Sequence, residues 1–495
     1  MPADKKFVRH ALSKQLSRGP DQTISIELGY ASIGVNRLAI SGLDNGDQPM
    51  TSDDGTVHVI FNGAIYNSEA LIREHNLTPR STNDGEVIHF LYQKFGMRFA
   101  DYLEGMFAVC IADTKRGELI LACDQVGIKP LYYCDLDGHR YVASVFSAFP
   151  AHMLRYVKRF PPNMVWSSAG AFEGIRQPVH NNATLEELLE SSVAQQIPKE
   201  VEWGCMLSGG VDSAVIARLA AGACTQLKTF TCGTPDSPDL AAGREVADLL
   251  GATHHEITVD LSELPQIVDA VIQTTASIET WTVTAGVATY LTARRAHDEG
   301  FKVLLSGEGA DELFGGYDEF QDIPPAYLNS ILIQYQNDLG ATECLRLDRA
   351  AMLHSVETRV PYLSTHVIQH ARHLPPREKI RTTGGEPIRK YALRKYAATI
   401  LPDWVAHRRK EEFAKGSCIT RELRRIADSL YPPDAVLHLS SSFPSFPISD
   451  GLSAWFFSRW LELFGNTVGE DWHSMVERGL FRQPWNIYLP NTIPQ

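Results

Sequence analysis

Gly204 to Leu207 reads as a short strand, Ser208-Gly209-Gly210 as a tight turn and Val211 to Ala221 as an apolar-periodic helix, joined with no residues between them. The pattern repeats in Lys228 to Cys232, a second strand, followed by a helix over Leu240 to Leu250. Thr184-Leu185-Glu186-Glu187 ahead of the first strand is a capping-box pattern that opens a helix. Strands alternating with helices predict a parallel sheet covered by helices on both faces, with ligands beyond the C-terminal strand ends.

The turn itself suits phosphate. In Leu207-Ser208-Gly209-Gly210-Val211-Asp212-Ser213 the glycines let backbone approach an anion, and the amides at the helix start attract it. Ser208 and Ser213 add hydroxyl donors, and Asp212 is placed to hold a metal ion that bridges phosphates. Neither GKS/T nor GxGxxG is present, so this is neither a kinase-type P-loop nor a dinucleotide turn. A plain glycine-rich turn is the bland alternative. Against it stands Ser306-Gly307-Glu308-Gly309-Ala310-Asp311-Glu312, which follows the apolar Val303-Leu304-Leu305 and ends in Phe314-Gly315-Gly316-Tyr317. Two glycine-rich strand exits, with Asp212 and Asp311, suit one nucleotide and its Mg²⁺.

The first ~150 residues look different, with short strands at Thr56 to Phe61, Met106 to Ile111, Leu119 to Cys123 and Tyr141 to Val145. Asn62-Gly63 reads as a turn signal, and Gly85 to Phe95 has helical spacing. The stretch 150–182 is expected to be an irregular connection, giving domains over 1–160 and 184–495. Beyond about residue 320 the chain reads as largely helical, with a loop-rich tail around Pro432, Pro433, Pro444 and Pro447. At 495 residues two or three domains are expected, and the net charge of -13 argues against nucleic-acid or membrane-surface binding. The eight cysteines form no CxxC pair and read as reduced thiols. With no apolar signal core or membrane-length run, a cytoplasmic protein is expected.

Across nearly the whole chain the order of motifs resembles the glutamine-dependent asparagine synthetase family. The resemblance is carried by the two phosphate segments, Ser237-Pro238-Asp239-Leu240, Asp348, Met352, Val356-Glu357-Thr358-Arg359-Val360-Pro361 and Arg408-Arg409-Lys410-Glu411-Glu412-Phe413. It implies a PP-loop ATP pyrophosphatase fold for the second half and an Ntn-type glutaminase sandwich for the first. It implies ATP and Mg²⁺ as cofactors, with Leu207 and Cys232 at the adenosine and Ser306 and Gly307 near the reacting phosphate. Asp212 and Asp311 would hold magnesium. Glu308 would support an acyl-adenylate and its attack by nitrogen, and Lys410 would steady departing pyrophosphate. Outside the resemblance, Lys410 reads as a solvated surface cation. His254 and His255 read as packing or capping residues rather than metal ligands.

In the first half the resemblance runs through Arg18-Gly19-Pro20-Asp21, Asn36-Arg37-Leu38, Asn62-Gly63, Asp84 and Gly127-Ile128-Lys129-Pro130. Arg37 and Asp84 would grip glutamine, with Asn62 and Gly63 as an oxyanion hole. The family's N-terminal cysteine nucleophile has no counterpart here, since residue 2 is Pro and no cysteine precedes Cys110. Ala64 replaces a substrate-binding carboxylate, and Cys123 stands where the family has Arg. Around the acyl pocket Thr284 stands where an arginine would pair with the carboxylate of aspartate, and Ser364 replaces an Asp. β-Lactam-forming relatives have a similarly disabled first domain, but carry Tyr where this chain has Glu308.

The sequence therefore predicts an AMP-forming carbon–nitrogen ligase that joins a small carboxylic acid to ammonia or an amine, with an inert glutaminase-like domain. A homodimer is one candidate assembly. The competing expectations are a true glutamine-hydrolysing asparagine synthetase with a misassigned start, and a non-catalytic binding protein on the same scaffold.

Overall fold

The computed structural model describes residues 4–178, 182–383, 386–408, 416–465 and 472–480. In the first half Val57–Ile65, Gly105–Asp113 and Glu118–Cys123 pair antiparallel as the centre of a six-stranded sheet. Alternation in Val57–Ile65 turns Val57, Val59 and Phe61 to one side, where helix Val87–Phe95 lays Val87, Ile88, Leu91 and Tyr92 against them. Each such side chain removed from water contributes about 2 kcal/mol. A smaller sheet joins Tyr132–Leu136 to His139–Ala143 and Lys158–Arg159.

Two local expectations in this half are corrected. Asn62-Gly63 is not a turn: the strand runs through both, opposite Ala108 and Phe107. Gly63 has φ 144°, and a Cβ there would lie 1.9 Å from the Met106 carbonyl oxygen, so close approach of two strands demands glycine. The stretch 150–178 is only partly irregular. Met164–Ser167 pairs with Glu118–Cys123, and Phe172–Gly174 adds the edge strand, so the sheet continues past residue 160. Strands of four and three residues are too short to show a period in sequence.

The second half holds a five-stranded parallel sheet in the order Thr253–Thr258, Lys228–Gly233, Trp203–Met206, Val303–Leu305, Glu357–Arg359. Chain order runs outward one way from Trp203–Met206 and the other way from Val303–Leu305. The two glycine loops therefore leave adjacent strands at the topological switch point, where such sheets open a crevice. Helix Leu185–Gln196 begins with the capping box: Thr184 Oγ1 accepts from the Glu187 amide at 3.2 Å and Glu187 Oε2 from the Thr184 amide at 2.8 Å. His254 and His255 lie in strand Thr253–Thr258, where His255 stacks on Phe230 with ring centroids 4.7 Å apart. Pro432 and Pro433 start helix Pro433–Ser442 rather than marking a loop, since proline is pre-organised for the first helical position.

The halves share their cores. One cluster packs Ala64, Met106, Val126 and Ile128 with Leu207, Val211 and Leu305, and another packs Phe7 and Tyr132 with Val268 and Trp460. Between them lies a buried ionic network. Asp348 receives Arg18 at 2.8 Å, Arg349 at 2.8 Å and Lys129 at 3.4 Å, and Glu357 receives Lys129 and Arg359 at 3.0 Å each. Burial alone would raise the Asp348 carboxyl, but the charges of Arg18, Lys129 and Arg349 outweigh it and hold it well below its ordinary value.

Candidate active site

The two glycine loops meet. A Cβ on Gly307 would lie 2.9 Å from the Ser213 amide nitrogen, so the second loop rests on the first turn of helix Val211–Ala221. Gly209, at φ 74°, packs within 2.5 Å of the Ala242 backbone when given a Cβ, which leaves no room for any side chain. The Ser213 hydroxyl donates to the Gly210 carbonyl at 3.2 Å and accepts from the Ser208 amide at 3.2 Å, fixing the loop.

Leu207, Ser208, Asp212, Ser213, Ser306, Gly307, Glu308 and Asp311 line one pocket. Gly209 and Gly210 shape its loop without lining it. Cys232 is buried in strand Lys228–Gly233 outside the lining, its thiol pushed up to about 12 by burial. Lys410 lies outside the described residues. Thr284 is buried and spends its hydroxyl on the carbonyls of Thr280 at 2.7 Å and Trp281 at 3.2 Å, within its own helix.

Four neighbours were not foreseen from sequence. Arg346 Nη2 donates to Glu308 Oε1 at 2.6 Å, and Nη1 donates to Thr289 Oγ1 at 3.4 Å. The Tyr317 hydroxyl donates to Glu312, whose carboxyl is pushed well up by burial and by the nearby Glu343 and Asp311 charges. Trp281 forms part of the wall. Lys390 Nζ lies 2.5 Å from Asp212 Oδ2 and 2.6 Å from Asp311 Oδ1. Arg346 and Lys390 sit in runs rich in Arg and Lys, where nothing in the sequence separates a buried cation from a solvated one.

In the first half Arg37, Asn62, Gly63 and Asp84 line a second cavity, of about 180 Å³, which reaches Glu357 and Arg359 of the other half. Arg37 is tied to the carbonyls of Ser41 at 3.0 Å and Gly42 at 2.7 Å. Asp84 accepts from the Ser41 hydroxyl and the Ile65 amide, and burial raises its carboxyl above the ordinary value. Cys110 lines this cavity, its thiol pushed up to about 12 by burial.

An antiparallel amidotransferase-type half joined to a parallel sheet with two phosphate-type loops at its switch point defines the class of two-domain, ATP-dependent amide ligases. A model of the asparagine synthase family matches residues 184–329 and 325–441, and a glutamine amidotransferase domain model matches residues 2–178. The chain is 33% identical to asparagine synthetase B [glutamine-hydrolyzing] of Escherichia coli over 81% of its own length and 77% of the relative's. It is 34% identical to the asparagine synthetase [glutamine-hydrolyzing] of Asparagus officinalis, over 82% of this chain and 73% of that one. Among solved structures, glutamine phosphoribosylpyrophosphate amidotransferase from B. subtilis, complexed with ADP and GMP, is 20% identical over 46% of this chain and 51% of that one, with a TM-score of 0.26, a likeness too slight to carry weight. The chain belongs to the asparagine synthetase family, and is a carbon–nitrogen ligase that uses ATP. Among the described residues no helix is long and apolar enough to cross a membrane.

Proposed function

We propose that the enzyme activates a small carboxylic acid as an acyl-adenylate, releasing pyrophosphate, and transfers the acyl group to ammonia or an amine. The observation that carries this reading is the convergence of both glycine loops, Asp212, Asp311 and Glu308 on one pocket. The loops would bind the phosphates, with Leu207 and Cys232 toward the adenosine. Glu308, held by Arg346, would face the nitrogen as it attacks, and Lys410 would steady the leaving pyrophosphate. Magnesium fits the donor set: Asp212 Oδ1 is a buried carboxylate oxygen without a hydrogen-bond partner, and two carboxylates suit a hard cation that keeps waters and phosphate ligands. Bound there, the metal would neutralise charge on the departing phosphates. The free thiols support a cytoplasmic location. ATP–pyrophosphate exchange across a panel of carboxylic acids tests the reading. Exchange with none of them, or AMP formation independent of any acid, would remove it.

The nitrogen is proposed to come from ammonia or an amine rather than glutamine. Ala64 replaces the carboxylate expected beside the substrate, and Arg37 and Asp84 are engaged by the protein itself. The thiols of Cys110 and Cys123 are held neutral by burial. A second reading, glutamine-hydrolysing asparagine synthesis, is favoured by one observation: Arg37, Asn62, Gly63 and Asp84 surround one cavity, with Asn62 Nδ2 buried and lacking a hydrogen-bond partner. Supplying ¹⁵N-amide glutamine and ¹⁵N-ammonium separately decides between them. Glutamate release coupled to label from glutamine would establish the second.

A further inference from the structure

Lys390 belongs to no motif, yet few cations among the described residues are as confined. It stands before helix Tyr391–Ile400 with φ 55°, a left-handed backbone that residues with side chains adopt only where their surroundings enforce it. It is 1% exposed, with its ammonium against both Asp212 and Asp311. Gly316 makes the space: a Cβ there would lie 2.1 Å from Lys390 Cε and 1.7 Å from Asp311 Oδ1. Arg389 Nη1 fastens the same turn by donating to the Gly316 carbonyl at 2.9 Å. Burying an ammonium is costly unless it is paired, and the two carboxylates supply the pairing.

We propose that Lys390 is the resident counter-cation of the Asp212–Asp311 pair and makes the site accept a divalent metal only when that metal arrives with nucleotide phosphates. The inference deepens the reading of these aspartates as magnesium ligands and rests on it. With the ammonium in place, the cluster presents one net negative charge instead of two. A free hydrated divalent ion gains little there for the waters it must shed. A metal–triphosphate complex brings its own anionic oxygens, which take up the ammonium while the metal takes the carboxylates. The order of ligand entry is thereby set by charge.

Binding of free Mn²⁺, followed by loss of the aquo-ion's paramagnetic resonance signal, tests this in the full chain. The wild type, Lys390→Met and Lys390→Gln are compared with and without α,β-methylene-ATP. Without nucleotide, both variants are expected to bind Mn²⁺ more tightly than the wild type by roughly tenfold or more, as removal of a unit charge at contact distance requires. With the analogue the order reverses, because only the wild type offers an ammonium to the phosphates. Equal affinity for free Mn²⁺ in wild type and folded variants overturns the proposal. If both variants unfold, the wild type decides alone. Micromolar binding of free Mn²⁺ overturns the proposal, and micromolar binding of the manganese–analogue complex without it supports the proposal. Free-metal binding involves no acyl transfer, so a negative exchange assay counts against the ligase reading and leaves this result standing.

Discussion

Arg346 Nη2 donates to Glu308 Oε1 at 2.6 Å, with Arg346 almost wholly buried and the Glu308 side chain one-fifth exposed toward the pocket. The guanidinium therefore fixes a carboxylate that still faces the pocket. Arg346→Met keeps the volume and removes the anchor, and is expected to lower the rate of amide formation by about 10²-fold. The KM for ATP should stay near the wild-type value. A rise in KM with turnover unchanged would make Arg346 a ground-state binding group instead.

Lys410 is expected to act on the departing pyrophosphate. Lys410→Ala should lower turnover by roughly 10²-fold in a folded protein, while Lys415→Ala, outside the motif, should leave it nearly unchanged. Equal and small effects in steady-state kinetics would return Lys410 to the solvated surface.

Gly316→Ala places a methyl group where the Asp311 carboxylate and the Lys390 side chain now lie. Overpacking of this kind costs about 1–3 kcal/mol, and here it falls on two groups of the proposed nucleotide site. Thermal unfolding should register the loss of stability, and calorimetry a fall in affinity for the metal–nucleotide complex. Left-handed backbone strain does not enter, since Gly316 is not among the positive-φ glycines.

Asp348 has a carboxyl depressed in the folded state, so its stabilising contribution is present above the ordinary value of 3.8 and is lost as pH falls below it. Asp348→Asn leaves Arg18, Lys129 and Arg349 without their shared anion, a loss on the order of 3–5 kcal/mol for a buried ionic contact. The Tm gap between wild type and variant should be wide at neutral pH and narrow steadily below about pH 4. A gap that does not change with pH would mean that the asparagine acts through packing.

The parallel half was legible because its signals are local. Strand, glycine turn and helix follow one another in Gly204 to Ala221, and the observed helix Val211–Ala221 has the expected limits. Thr184 and Glu187 announced a helix start that the structure shows with both hydrogen bonds. Asn62-Gly63 misled because the same dipeptide serves a turn and a close strand crossing, and only the partner strand distinguishes them. At the site, the residues in the glycine loops could be named from their chemistry. Arg346 and Lys390 could not, because one comes from helix Glu343–Met352 and the other from the turn before helix Tyr391–Ile400, and distance along the chain conceals which cations the fold will bury.

The ionic network between the halves has an evolutionary corollary. Arg18 and Lys129 are counter-ions to Asp348 and Glu357, and the apolar clusters interleave residues from both sides of the junction. A lineage that stopped using the first domain for chemistry could let the side chains of its glutamine cavity drift freely. It could not discard the domain without simultaneous replacements at 348, 357 and a broad apolar face. Selection on folding alone would then preserve the scaffold long after its original task had lapsed.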